Sequence, residues 1–93
     1  MEAMRQLLQR PVKLRGVQVG RVVDVILEPK TERIVGYEVR CEDQRHRFLP
    51  AAAATASDAS IAIDSPFALL DTDELEFYRR RGKTLRARRE SAA

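Results

Sequence analysis

From residue 20 to residue 50 the chain passes through three extended stretches in which apolar side chains recur at every second position. That period confines it to a β-sheet with at least one buried face. The stretches are Gly-Arg-Val-Val-Asp-Val-Ile-Leu-Glu, Arg-Ile-Val-Gly-Tyr-Glu-Val-Arg-Cys and Gln-Arg-His-Arg-Phe-Leu-Pro, the first two rich in β-branched residues. Val23, Val25 and Leu27 share a face of the first, and Val35, Tyr37, Val39 and Cys41 a face of the second. The break Glu28-Pro29-Lys30-Thr31-Glu32 is a loop by its proline and its charges. Pairing Leu27 with Val35 and Val25 with Tyr37 brings both apolar rows to one side. A tight turn at Asp43-Gln44 then sets Cys41 opposite His46 and Val39 opposite Phe48. Val23, Val25, Val35, Tyr37, Val39 and Phe48 are therefore expected in one core. On the outer side Arg40 faces Arg47, a repulsion that Glu42 facing Arg45 offsets. Burial specifies the register, because a one-residue slip turns Phe48 to the other face.

The flanking segments read as follows. Residues 1–10 form a short amphipathic arm, with Met4, Leu7 and Leu8 at helical spacing and Pro11 ending it. Pro11-Val12-Lys13-Leu14 is a first short strand with Val12 and Leu14 on one face, and Arg15-Gly16 is a turn. Val17-Gln18-Val19-Gly20 leads into the long strand. The alanine-rich residues 51–56 are a connection with room for one helical turn, and Asp58 falls in a turn. Residues 60–64 make a fifth strand with Ile61 and Ile63 facing in.

A helix spans residues 71–82. Asp71 and Glu74 have capping-box spacing, and Leu70 and Leu75 form a hydrophobic staple. Leu75, Phe77 and Tyr78 make a narrow apolar stripe, Glu76 pairs with Arg80, and Gly82 is the stop. Residues 83–93 are a basic tail with almost nothing to bury.

Charge divides along this organisation. Residues 1–78 hold 10 basic and 13 acidic side chains, whereas residues 79–93 hold seven basic and one acidic. The cations Arg79, Arg80, Arg81, Lys83, Arg86, Arg88 and Arg89 suit an anionic partner such as RNA, through phosphate contacts that carry no sequence information. The plainer reading of the same run is a solvated terminus. The barrel's aromatics are expected to be internal, which disfavours a base-stacking platform. At 93 residues with an aliphatic core, the domain has little stability to spare, and dimerisation is a natural supplement.

Residues 12 to about 70 resemble a PRC-barrel domain. The resemblance rests on Val19-Gly20-Arg21-Val22-Val23-Asp24-Val25-Ile26-Leu27, on Arg33-Ile34-Val35-Gly36-Tyr37-Glu38-Val39, on Arg47-Phe48-Leu49-Pro50 and on the late strand at Ile61 to Ile63. It implies an all-β fold: a small, highly curved antiparallel barrel of five to six strands over residues 11–70, followed by the C-terminal helix. Members of that family act chiefly as docking modules. One branch serves the photosynthetic reaction centre as the cytoplasmic part of its H subunit, and another forms the C-terminal part of a ribosome maturation factor. This sequence has neither the membrane helix of the first nor the companion domain of the second. What the resemblance implies here is a stand-alone, non-enzymatic adaptor that binds a protein partner or a second copy, with RNA or ribosome association as the alternative.

The search for chemistry returns little. One Cys and one His do not assemble the three or four ligands of a metal site, and four glycines spread over turns make no phosphate loop, so no cofactor is expected. Cys41 opposite His46 is the one pair that resembles an activated nucleophile. In the expected register both point to the core, where a free cysteine behaves as a small hydrophobe. Asp24 reads as a hydrogen-bonded structural acid, because a buried carboxylate needs partners. Its face of the strand also carries Val22 and Ile26, so that second face is partly apolar, as expected of a strongly bent strand serving both halves of a small barrel or, equally, of a dimer face. No run approaches the roughly 20 apolar residues of a membrane span. A single cysteine and no leader-like segment point to the cytoplasm.

Overall fold

The computed structural model describes residues 6–57 and 59–85. Among these residues seven strands form one sheet: β1 (Pro11–Leu14), β2 (Val17–Leu27), β3 (Ile34–Cys41), β4 (His46–Pro50), β5 (Thr55–Ala56), β6 (Ile61–Ile63) and β7 (Lys83–Thr84). Among them too are the α-helix α1 (Thr72–Arg81) and the 3-10 turns Ala51–Ala53 and Pro66–Ala68. The strand order is β4-β3-β2-β1-β6-β5, with β7 paired to β2 off that path. Among the described residues no pairing joins β4 to β5, so the sheet is a curled half-barrel and not the closed barrel expected. It is also not wholly antiparallel, because β6 runs parallel to β1 with Val12 beside Ile61 and Leu14 beside Ile63.

The Arg15-Gly16 turn has φ of 51° and 84°, the paired positive values that join twisted strands in a two-residue hairpin. The next hairpin differs from expectation. The Cys41 N–H donates to the Arg45 carbonyl at 2.9 Å, so the loop is Glu42-Asp43-Gln44, three residues and not two. Gln44 takes the left-handed conformation, φ 70°, that such a loop requires at its last position. The extra residue shifts the register by one. Val39 now pairs with Arg47, Arg40 with His46 and Glu38 with Phe48. The expected pairings of Cys41 with His46, Val39 with Phe48 and Arg40 with Arg47 are thereby corrected.

Between β2 and β3 the expected pair Val25 with Tyr37 forms, but two irregularities interrupt the ladder. Val22 pairs with Val39 and Asp24 with Glu38, so Val23 is the extra residue on β2. Ile26 pairs with Gly36 and Leu27 with Ile34, so Val35 is the extra residue on β3 and does not face Leu27 as expected. Gly36 is required where it stands: a Cβ there would lie 2.5 Å from both the Leu49 carbonyl oxygen and the Phe48 ring.

These shifts split the apolar residues between two cores. The main one gathers Val12, Val22, Val25, Leu27, Tyr37, Val39, Cys41, Leu49, Ile61 and Ile63 on the inner face. The second lies on the other face of the sheet, where Ile26, Phe48 and Leu75 are buried with Val35, Leu70 and Tyr78 packed against them. The expected six-residue cluster is therefore divided: Val25, Tyr37 and Val39 lie inside, Val35 and Phe48 lie under the helix, and Val23 is only half-buried.

Both ends of the described chain join the inner core. Leu7 is buried there, and the Gln9 N–H donates to the Val22 carbonyl at 2.7 Å. Lys83 and Thr84 extend the sheet as β7, and Leu85 is fully buried. The basic tail expected from residue 83 is thus part of the folded domain as far as residue 85. Met4 and Asp58, with the calls that fall on them, lie outside the described residues.

Candidate binding surface

Helix α1 is ten residues long, too short to be stable alone, and its docking supplies what propensity does not. Its buried side carries Leu75, fully enclosed, and Tyr78, whose ring stacks on Phe48 at 4.3 Å and 11°. Each such side chain taken from water contributes about 1.5–3 kcal/mol. The Thr72 hydroxyl donates to the His46 carbonyl at 3.0 Å and ties the first turn to β4. Asp71 is the N-cap by position, but its side chain makes no capping hydrogen bond, so the expected capping box does not form. Leu70 and Leu75 meet in the second core, as the staple required. Glu76 pairs with Arg79 at 3.5 Å rather than with Arg80. Gly82 ends the helix, donating its N–H to the Tyr78 carbonyl at 2.9 Å.

Polar groups pin this helix to the sheet. Glu38 is buried on β3, where His46 Nδ1 bonds one of its carboxylate oxygens and Arg79 Nε lies 3.8 Å from the other. Its register partner Asp24 is also buried and accepts the Val25 N–H at 2.8 Å. Two acids on the helix-facing side of the sheet are tolerable only with such partners. The same register sends Cys41 into the inner core and His46 to the opposite face. The pair weighed from sequence is therefore not brought together, and His46 faces a carboxylate instead of a thiol. Sequence reasoning passed over Glu38. Its signal was an acid between Tyr37 and Val39 on a face whose β2 neighbours, Asp24 and Ile26, alternate acid with apolar. Among the described residues no group of three or more His, Cys, Asp or Glu side chains is placed to hold a metal ion.

The predicted cations are dispersed. Arg79 turns inward to Glu38 and Glu76. Arg81 lies over the Phe77 ring, 4.5 Å from its centre. Arg80 and Lys83 are exposed. Arg86, Arg88 and Arg89 lie outside the described residues. The aromatics are not all internal as expected: Phe77 is 46% exposed and Phe67 is 87% exposed.

Two grooves adjoin these exposed apolar groups. One, of about 260 Å³, is lined by Ile26, Pro29, Val35 and Tyr78, with Glu28 and Arg81 as its charged members. The Thr31 N–H, then the Thr31 hydroxyl, holds the Glu28 carboxyl below its ordinary value. The other, of about 370 Å³, lies at the end of the sheet that carries the β3–β4 turn, between Val19, Cys41, Pro66 and Leu69. Asp43 and Arg47 line it too, joined by two hydrogen bonds of 3.0 and 2.8 Å. Phe67 follows Pro66, and Val17, 66% exposed, opens β2. The first groove, largely apolar, is suited to holding a side chain or a peptide segment, whereas the second is charged along one side by Glu42, Asp43 and Arg47. No protein-family model matches this chain, and no curated protein matches it.

Proposed function

We propose that this chain is a non-enzymatic protein-binding module of the PRC-barrel type, and that its first partner is a second copy of itself. The observation that carries this is the exposure of Val17, Phe67 and Phe77 in a domain whose two cores are already filled. Exposed apolar groups mark an interaction surface where they join a contiguous patch, as Phe77 does through its edge-on contact with Tyr78 of the groove. The curled sheet and docked helix also agree with the adaptor role that the sequence resemblance implies. Sedimentation equilibrium tests it. We expect a mass rising with concentration from the 10.6 kDa chain toward twice that value. A single species of chain mass at every concentration would remove the self-association reading.

The outward cations favour a second reading, association with RNA or with the ribosome. Arg80, Arg81 and Lys83 supply charge beside the exposed Phe77. Replacing Arg86, Arg88 and Arg89 by alanine should release the protein from ribosomes, with circular dichroism checking that the variant is folded. Binding should also fall steeply with salt. Co-sedimentation that survives both changes would eliminate it.

A further inference from the structure

The outer face of α1 carries a charge pattern that complements itself in an antiparallel pairing. With Leu75 and Tyr78 turned to the sheet, the helical period of 3.6 residues points Asp73, Phe77 and Arg80 away from it and sets Glu74 and Arg81 on one flank, Arg81 at the mouth of the groove beside Tyr78. All five are exposed. The side chains of Asp73, Glu74 and Arg80 make no hydrogen bond or ion pair among the described residues. They cannot satisfy one another within the helix. Asp73 and Arg80, like Glu74 and Arg81, stand two turns apart, beyond the three- or four-residue spacing at which side chains on a helix meet.

The pattern inverts about Phe77. Glu74 stands three residues before it and Arg80 three after; Asp73 stands four before and Arg81 four after. In an antiparallel helix pair centred on Phe77, the two-fold axis sets the half before the centre in one copy against the half after it in the other, and each flank of the face against its own kind. Asp73 and Arg80 share one flank of Phe77, and Glu74 and Arg81 the other. Asp73 then faces Arg80, and Glu74 faces Arg81, twice each by symmetry. A parallel pair would set acid on acid and base on base.

We infer that two copies of this chain associate through antiparallel α1 helices about a two-fold axis at Phe77. The inference rests on the self-association reading above and names its surface. An interface of this kind is isologous, so it closes at two copies and does not propagate. Phe77 supplies the apolar centre, and the groove between Ile26, Pro29, Val35 and Tyr78 continues it, sharing Arg81 with the charged stripe. The helix dipoles also run antiparallel, placing each acidic first turn against a basic last turn. A ten-residue helix face with its flanking groove is smaller than the roughly 800 Å² per partner of a standard interface. The dimer is accordingly weak, and salt dissociates it because its charges sit at the surface.

Charge reversal with complementation tests this. One variant carries Asp73→Lys and Glu74→Lys, the other Arg80→Glu and Arg81→Glu. Circular dichroism checks that each keeps its helix. Sedimentation at low salt should show each variant alone dimerising at least about tenfold more weakly than wild type, the equivalent of about 1.4 kcal/mol. An equimolar mixture should recover a heterodimer, since every reversed charge then meets its opposite. That recovery cannot come from a folding defect. If wild type dimerises and neither variant changes it, or if the mixture fails to recover association, this interface is wrong while self-association stands. If wild type is monomeric at low salt at every concentration, both readings fall together.

Discussion

Asp43 shows how one side chain sets a local structure. It sits in the three-residue loop between β3 and β4, accepting the Arg45 N–H at 3.0 Å and the Arg47 guanidinium through both oxygens. The Arg47 hydrogen bonds, then the Arg45 N–H, hold its carboxyl down at about 2, from an ordinary 3.8. A carboxylate with a depressed folded value stabilises the native state above the unfolded value and loses that contribution as pH falls through the folded one. Asp43 therefore supports the hairpin fully above pH 3.8, and its support fades as pH falls toward 2. An NMR titration of the Asp43 side-chain carbonyl should show its midpoint near pH 2. Arg47→Ala should move that midpoint up toward the ordinary value. A midpoint already near 3.8 in the wild type would show that the guanidinium does not hold the carboxylate in solution.

The elements depend on such turns more than on their own propensities. Residues 46–50 would form a strand in either register, and the three-residue loop decides which face receives Phe48. Gln44 supplies the positive φ, at a cost that glycine would not incur. Gln44→Gly should thus stabilise the protein by about 0.5–1 kcal/mol in urea unfolding, the left-handed penalty less glycine's extra chain entropy. No gain, or a loss, would show that Gln44 does not hold the left-handed conformation in solution. Helix α1 shows the same dependence at larger size. Its stop at Gly82 was legible from composition, whereas its seat was not: that seat exists because the loop turned Phe48, and the irregularity on β3 turned Val35, to the face that Ile26 already occupied.

At the scale of the whole molecule, one sheet serves two cores, and the ends of the described chain help to complete the inner one. Leu7 and Leu85 lie far apart in sequence, yet both are buried in that core. Leu7→Ala and Leu85→Ala should each cost about 2–4 kcal/mol of unfolding free energy, the range of a buried leucine replaced by alanine. A change below about 0.5 kcal/mol, ordinary for surface positions, would show that these ends do not belong to the core. The open edge between β4 and β5 belongs to this scale too. It leaves a half-barrel whose second face needs a cover, and α1 provides it.

Read alone, the sequence settled what depends on neighbours along the chain. The strands at residues 17–27, 34–41 and 46–50 follow from alternation, the Arg15-Gly16 turn from glycine, and the helix and its stop from periodicity and Gly82. It also indicated that the Asp24 face of β2 is partly apolar. Tertiary structure alone decided the register of β4, the parallel pairing of β6 with β1 and the burial of Glu38 between His46 and Arg79. The reason is physical. Period-2 alternation specifies that two faces exist, but one extra residue in a loop or a bulge exchanges them at almost no local cost. Only the summed burial on both sides of the sheet selects between the alternatives.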